Sequence, residues 1–188
     1  MVLAGGAGRR MGGVDKAALR VGGITLLDRV LAAAEPVCDQ LVVVGPDRPT
    51  AVADVVFVSE AQPGGGPVPA VLAGLQAAPN CDVVLVLATD LPLILAHHLR
   101  RLLDALEHDA VAAQDSQGAN PLLAAYRSAP LAQRAAQLGL GPGSPAARLL
   151  PELVSTVDLG PATFNVNRPG DLAAAEMLLA EECTENPG

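Results

Sequence analysis

Aromatic side chains are nearly missing from this chain. Its 188 residues include one tyrosine, two phenylalanines and no tryptophan. Since 51% of residues are hydrophobic, a core has to be built from valine, leucine and small side chains. Positive charge is also scarce: 12 Lys and Arg face 20 Asp and Glu, a net charge of −8. That balance argues against a general nucleic-acid surface or an anionic-membrane surface. Cysteines are few. Cys38, Cys81 and Cys183 form no C-x-x-C pair, so they read as reduced, incidental thiols of a cytoplasmic protein. No Cys/His spacing suggests zinc. No G-x-S-x-G elbow exists, and Ser144 precedes a proline. There is no secretory order of basic, apolar and small residues. The longest apolar run, Val83 to Leu95, contains Asp90 and is too short to cross a bilayer. The chain is therefore expected to be soluble. Internal repeats and low-complexity linkers are absent as well.

What is present is an alternation of strand-like and helix-like stretches. Met1–Ala4 is a first strand, short at its start, with a residue or two expected upstream. Leu41–Val44, Val55–Val58 and Val83–Ala88 are continuous apolar strands. Ala110–Ala113, Leu122–Tyr126, Leu153–Val157 and Phe164–Val166 are expected as further strands. Helical spacing runs over Thr25–Glu35, Ala70–Ala78, Ala96–Glu107 and Gly170–Glu182, with two more helical stretches around Pro142–Pro145. Gly64–Pro69 is expected as a loop. The pattern predicts a three-layer α/β/α sandwich around a Rossmann-like, mostly parallel sheet. One domain over residues 1–183 with a frayed tail at 184–188 is the natural division. Ligands on such sheets sit outside the carboxyl ends of the strands. That edge would carry the loop after Ala4, the Gly45 turn, the Glu60 region and Thr89-Asp90.

The most informative stretch is Met1 to Ala17. Apolar residues run into a glycine-dense loop, and Arg9, Arg10 and Lys16 follow within a few residues. Glycines allow a tight turn and a close backbone approach, while the cations neutralise several negative charges at once. The expected ligand is a run of phosphates, held at Leu3, Ala4, Gly5, Gly6 and Lys16. Known phosphate loops do not fit. The G-x-G-x-x-G fingerprint fails at Met11, and the P-loop fails because Gly13 and Lys16 are not adjacent and Ala17 has no hydroxyl.

Asp90 is the second anchor. It ends an apolar strand and precedes Leu91-Pro92. It reads either as a cap for the next segment or as a ligand for Mg²⁺, which takes one or two carboxylates together with phosphates and waters. Glu60 follows a strand and is either a ligand contact or an exposed acid. Asn165 and Asn167, on one face of a short strand, either meet a second substrate or serve the turn before Pro169. His97, His98 and His108, at the ends of one helix, read as surface or dipole-complementing residues.

Leu3-Ala-Gly-Gly-x-x-x-Arg10-Met-Gly-Gly-x-Asp15-Lys16 resembles the LAGG…R-M-G…DK signature of a group of nucleotidyltransferases. Within that group it is most similar to the molybdenum cofactor guanylyltransferase (MobA) family. Matching motifs extend to Asn165-Val-Asn-Arg-Pro169, which resembles the family's N-x-N-x-P segment. The resemblance implies transfer of GMP from GTP to a molybdopterin-type cofactor with loss of pyrophosphate. It implies Mg²⁺ on Asp90, Lys16 over the phosphates and Arg10 toward the leaving pyrophosphate. Glu60 would accept from the paired donors on one edge of guanine, and Asn165 and Asn167 would face the acceptor. Hand-over of the product to an insertion partner protein is also implied. Three departures stand out: Thr89 replaces the family's cysteine, Gly45 stands where asparagine is frequent, and Asn120-Pro121-Leu122 lacks a histidine. CTP in place of GTP, a sugar-phosphate acceptor and nucleotide binding without turnover are the alternatives.

Overall fold

The computed structural model describes residues 1–5, 14–61 and 64–185, the last four of these as backbone alone. Strand β1 is Val2–Leu3. A small hairpin, β2 (Arg20–Val21) and β3 (Ile24–Thr25), turns at Gly22-Gly23 and leads into helix α1 (Leu26–Ala34). There follow β4 (Leu41–Val44), β5 (Val55–Val58), α2 (Pro67–Ala77), β6 (Val83–Ala88) and α3 (Ala96–Asp104). The rest is β7 (Ala110–Asp115), β8 (Gly118–Arg127), α4 (Ser128–Gln137), β9 (Ser155–Asp158) and α5 (Pro169–Glu185).

Among the described residues, a seven-stranded sheet in the order β5-β4-β1-β6-β8-β7-β9 carries the fold. β5, β4, β1 and β6 pair in parallel, as do β7 and β9, whereas β8 runs against both of its neighbours. The expected mostly parallel α/β/α sandwich is thus the observed one. The reversal of β8 follows from its short connection to β7. Asp115 Oδ1 accepts from the Gln117 amide at 2.7 Å, closing a tight turn, and a turn that short can only join antiparallel strands.

Side chains alternate across the sheet and build a separate core on each face. Leu41, Val43, Leu85, Leu87, Val111 and Ala113 pack with α1 and α3. Val42, Val44, Val84, Val86, Ala110 and Ala112 pack with α2 and α4. Tyr126 is buried in the second core, and its hydroxyl donates to the Pro121 carbonyl at 2.9 Å. A third, smaller cluster joins Val21, Leu26, Val166 and Ala175, seating α5 on the β2–β3 hairpin.

Several local expectations change. α2 begins at Pro67, so Pro67 and Pro69 lie in its first turn rather than in a loop; the first turn tolerates proline because its N–H groups have no partner within the helix. β8 starts at Gly118 and accommodates a bulge opposite Ala112-Ala113. Phe164–Val166 is not a strand. It leaves a 3-10 turn, and Val166 is buried against α5 and the hairpin instead of joining the sheet. No helix among the described residues is long and apolar enough to cross a membrane.

His98 is a further correction, because it is buried rather than a surface residue. Its Nδ1 accepts from the Leu95 amide at 3.1 Å, while its own amide donates to the Leu95 carbonyl at 3.0 Å. This reciprocal pair closes the first turn of α3 in the manner of a capping box. A cation at that end would oppose the helix dipole. Burial first, then the nearby His97 and Arg101, pushes the imidazole pKa down to about 4 from 6.5. The unfolded chain therefore takes up this proton before the folded one does, and stability falls as pH drops from about 6.5 to about 4. Denaturant titrations should show a shallower loss over that window in His98→Gln, which can still cap but does not titrate.

Candidate active site

The register of the sheet brings four strand ends to one level. Leu3 is paired with Val44 and Ala88, and Val44 is paired with Val58. Gly5, Gly45, Glu60 and Thr89-Asp90 therefore emerge along one edge. Gly45 apart, they border a cleft of about 490 Å³, lined by Leu3, Ala4, Gly5, Lys16, Glu60, Thr89, Asp90 and Asn167. Gly66 and Pro67 at the start of α2, and Leu122 of β8, line it as well.

Two glycines make this edge possible. Gly45 has φ = 153°, and a Cβ there would meet the Ala4 carbonyl carbon at 2.8 Å and the Gly5 nitrogen at 2.9 Å. No asparagine side chain fits such a position. At Gly5, a Cβ would lie 2.8 Å from Glu60 Oε1, so the Glu60 carboxylate rests against the bare backbone at the tip of β1. The Ala4 amide donates to the Val44 carbonyl at 2.8 Å. Any amide cradle after β1 thus begins no earlier than Gly5.

Lys16 opens a short 3-10 turn capped by Asp15, whose Oδ1 accepts from the Ala17 amide at 3.2 Å and from Arg48 Nη1 at 2.8 Å. From this anchored base the lysine reaches into the cleft. Its Nζ donates to Asp90 Oδ2 at 3.2 Å and to Asn167 Oδ1 at 2.8 Å. Asp90 is held from behind as well, since its carbonyl accepts from the Val166 amide at 2.9 Å. Thr89 donates through Oγ1 to the Leu3 carbonyl at 3.3 Å, tying β6 to β1.

Asn165 and Asn167 part company. Asn165 Nδ2 donates to the Thr163 carbonyl at 3.0 Å, a turn bond, and the residue does not line the cleft. The pair does not share the face of a strand, because no strand forms there. Asp171 is a residue that sequence reasoning missed. Its Oδ2 accepts from the amides of Asn167 (2.7 Å) and Arg168 (2.8 Å), and those bonds lower its pKa. An acid in the first turn after Pro169 was the available signal. Arg48 was missed too, and nothing local marks it.

Glu60 Oε2 is buried without a hydrogen-bond partner, and burial raises the carboxyl pKa. Gly6 and Arg10 lie outside the described residues. Among the described residues, no group of three or more His, Cys, Asp and Glu gathers as a ready metal cage. Asp90 and Asn167 nonetheless direct two oxygens at one cation, the Lys16 ammonium.

The family described as the MobA-like NTP transferase domain matches residues 1–154. This chain belongs to the MobA-like NTP transferases. A molybdenum cofactor guanylyltransferase from Cereibacter sphaeroides is 32% identical over 97% of both chains. A probable molybdenum cofactor guanylyltransferase from Synechococcus elongatus is 38% identical over 69% of this chain and 71% of its own. Among solved structures, the molybdopterin-guanine dinucleotide biosynthesis protein A of Archaeoglobus fulgidus is similar with a TM-score of 0.71 and 25% identity, over 96% of this chain and 97% of that one. The 2-C-methyl-D-erythritol 4-phosphate cytidylyltransferase of Thermus thermophilus gives 0.67 and 25%, over 95% and 98%. Lys16, Glu60 and Asp90 fall inside the span of the MobA-like domain, whereas Asn167, which lines the cleft, and Asp171, which holds the Asn167 amide, lie beyond it.

Gly45→Ala should cost more than about 2 kcal/mol of stability, from a strained φ and a clash with rigid backbone. Chemical denaturation measures it.

Proposed function

We propose that this protein is a molybdenum cofactor guanylyltransferase, moving GMP from GTP to molybdopterin carrying molybdenum. One observation carries the proposal: the β1 tip, Lys16, Glu60 and Asp90 meet in a single cleft at the carboxyl edge of the sheet. The names borne by its relatives support it. A phosphate oxygen of the acceptor forms a bond to the α-phosphorus of GTP. The bond from that phosphorus to the oxygen bridging to the β-phosphate breaks, and its electron pair leaves with pyrophosphate. The attacking phosphate is already ionised near pH 7, so no strong general base is required. The protein's task is positioning and charge neutralisation. Lys16 neutralises phosphate oxygens, and the role proposed for Arg10 is to neutralise the departing pyrophosphate. Gly5 and Gly6 let the nucleotide approach the backbone closely.

The residues present fit a divalent ion. Mg²⁺ accepts one carboxylate and completes its shell with phosphate oxygens and water, and Asp90 offers that carboxylate beside the Asn167 amide oxygen. When bound, the ion would act as a Lewis acid on the phosphates. Glu60 sets the base: its orphaned buried oxygen is an acceptor for the adjacent N–H and NH₂ groups of guanine. Asn167 lies toward the acceptor, with Asn165 in the turn that supports it. A cytoplasmic location and hand-over of the product to an insertion partner complete the proposal.

The direct test is pyrophosphate release from GTP with Mg²⁺ and molybdenum-loaded molybdopterin, with CTP and sugar phosphates run alongside. Asp90→Asn should lower turnover by at least about 10³-fold with an unchanged circular dichroism spectrum; near-normal turnover rejects the metal assignment. Glu60→Gln should weaken GTP binding by about 10- to 100-fold, as expected for bonds to a charged acceptor, and leave CTP binding unaltered by calorimetry. A thermal-shift panel of nucleoside triphosphates should respond selectively to GTP in the unaltered protein.

A further inference from the structure

The Lys16 ammonium stands on the two oxygens best placed to take a metal ion. It lies 3.2 Å from Asp90 Oδ2 and 2.8 Å from Asn167 Oδ1, and both Lys16 and Asp90 side chains are largely shielded, at 24% and 19% exposure. A Mg²⁺ ion bonds a carboxylate oxygen at about 2.0–2.1 Å. An ammonium held on that same oxygen would sit only a few ångströms from the dication, in a partly desolvated cleft where like charges repel strongly. An ammonium kept on Oδ2 therefore opposes a dication on the same carboxylate.

The surroundings decide which partner moves. Asn167 is fixed through its backbone by Asp171, and Asp90 by the Val166 amide. The base of Lys16 is fixed by the Asp15 cap and Arg48. What remains free is the lysine's own four-carbon stem, which can swing its three donors without a change in the backbone. We propose that Lys16 is an exchangeable counter-ion: it occupies Asp90 and Asn167 until a divalent cation takes their oxygens, and the released ammonium then goes to the nucleotide phosphates. The second half rests on the nucleotidyl-transfer proposal; the first half does not. Metal and lysine compete for one site, so the metal binds weakly by itself. A triphosphate that draws the ammonium away tightens it, and the metal strengthens triphosphate binding by the same factor.

The test is a titration of the full-length protein with Mn²⁺ alone, without nucleotide or acceptor, following free Mn²⁺ by electron paramagnetic resonance. Lys16→Met and Lys16→Gln should each bind Mn²⁺ at least tenfold more tightly than the unaltered protein. The gain should vanish when Asp90→Asn is added. Equal or weaker Mn²⁺ binding in the two single variants, or a gain that survives Asp90→Asn, overturns the proposal. The unaltered protein supplies an independent readout. With labelled lysine, the Lys16 side-chain NMR signal should shift on saturation with Mg²⁺ alone, and an unmoved signal overturns the exchange. A protein that took no GTP would leave these measurements standing, and an unchanged Mn²⁺ affinity would leave GTP turnover standing.

Discussion

The contact between Asp90, at the tip of a strand buried on both faces, and the Lys16 ammonium is the interaction on which the rest of the cleft depends. β6 cannot place Asp90 elsewhere, because its apolar residues are locked between two cores. The lysine that answers it comes from the segment after β1, and the asparagine that shares the lysine comes from the entry to α5. One ammonium thus joins the beginning, middle and end of the chain. The hairpin and α5, which look peripheral to the sheet, gain their purpose from that junction: they hold Asn167 at the right height.

The cleft works against the charge of the molecule as a whole. A net charge of −8 repels a triphosphate at long range, although salt confines that repulsion to about 8–10 Å. Capture therefore depends on local, short-range groups. Lys16 supplies positive charge inside the cleft, and bare backbone at Gly5 keeps a side chain out of it. Glu60 Oε2 is a buried acceptor at the edge of the cleft that a donor on a ligand would satisfy.

Legibility followed the range of the forces. β4, β5 and β6 were readable to the residue, because a short unbroken apolar run has few options other than a strand, even at the sheet edge where Val56 of β5 stays exposed. From those strands, the edge that holds Gly5, Gly45, Glu60 and Asp90 followed by the handedness of crossovers. The segment Phe164–Val166 was misread because three residues carry too little periodicity to separate a strand from a buried linker. His98 was misread because its helix-capping bond requires burial, which a charged-looking pair, His97-His98, does not advertise. Asn165 and Asn167 looked equivalent in sequence, and a single turn bond to Thr163 sets them apart.

By itself, the sequence determined the alternation of layers, the strands of the parallel core and the chemical inventory of the cleft. These follow from side-chain periodicity, glycine conformation and charge, all properties of short windows. Only the tertiary structure decided that Asn167 and not Asn165 enters the cleft, and that Lys16 meets partners 74 and 151 residues away. Such choices depend on which surfaces pack together once the two cores close, and no local pattern encodes a distance across them.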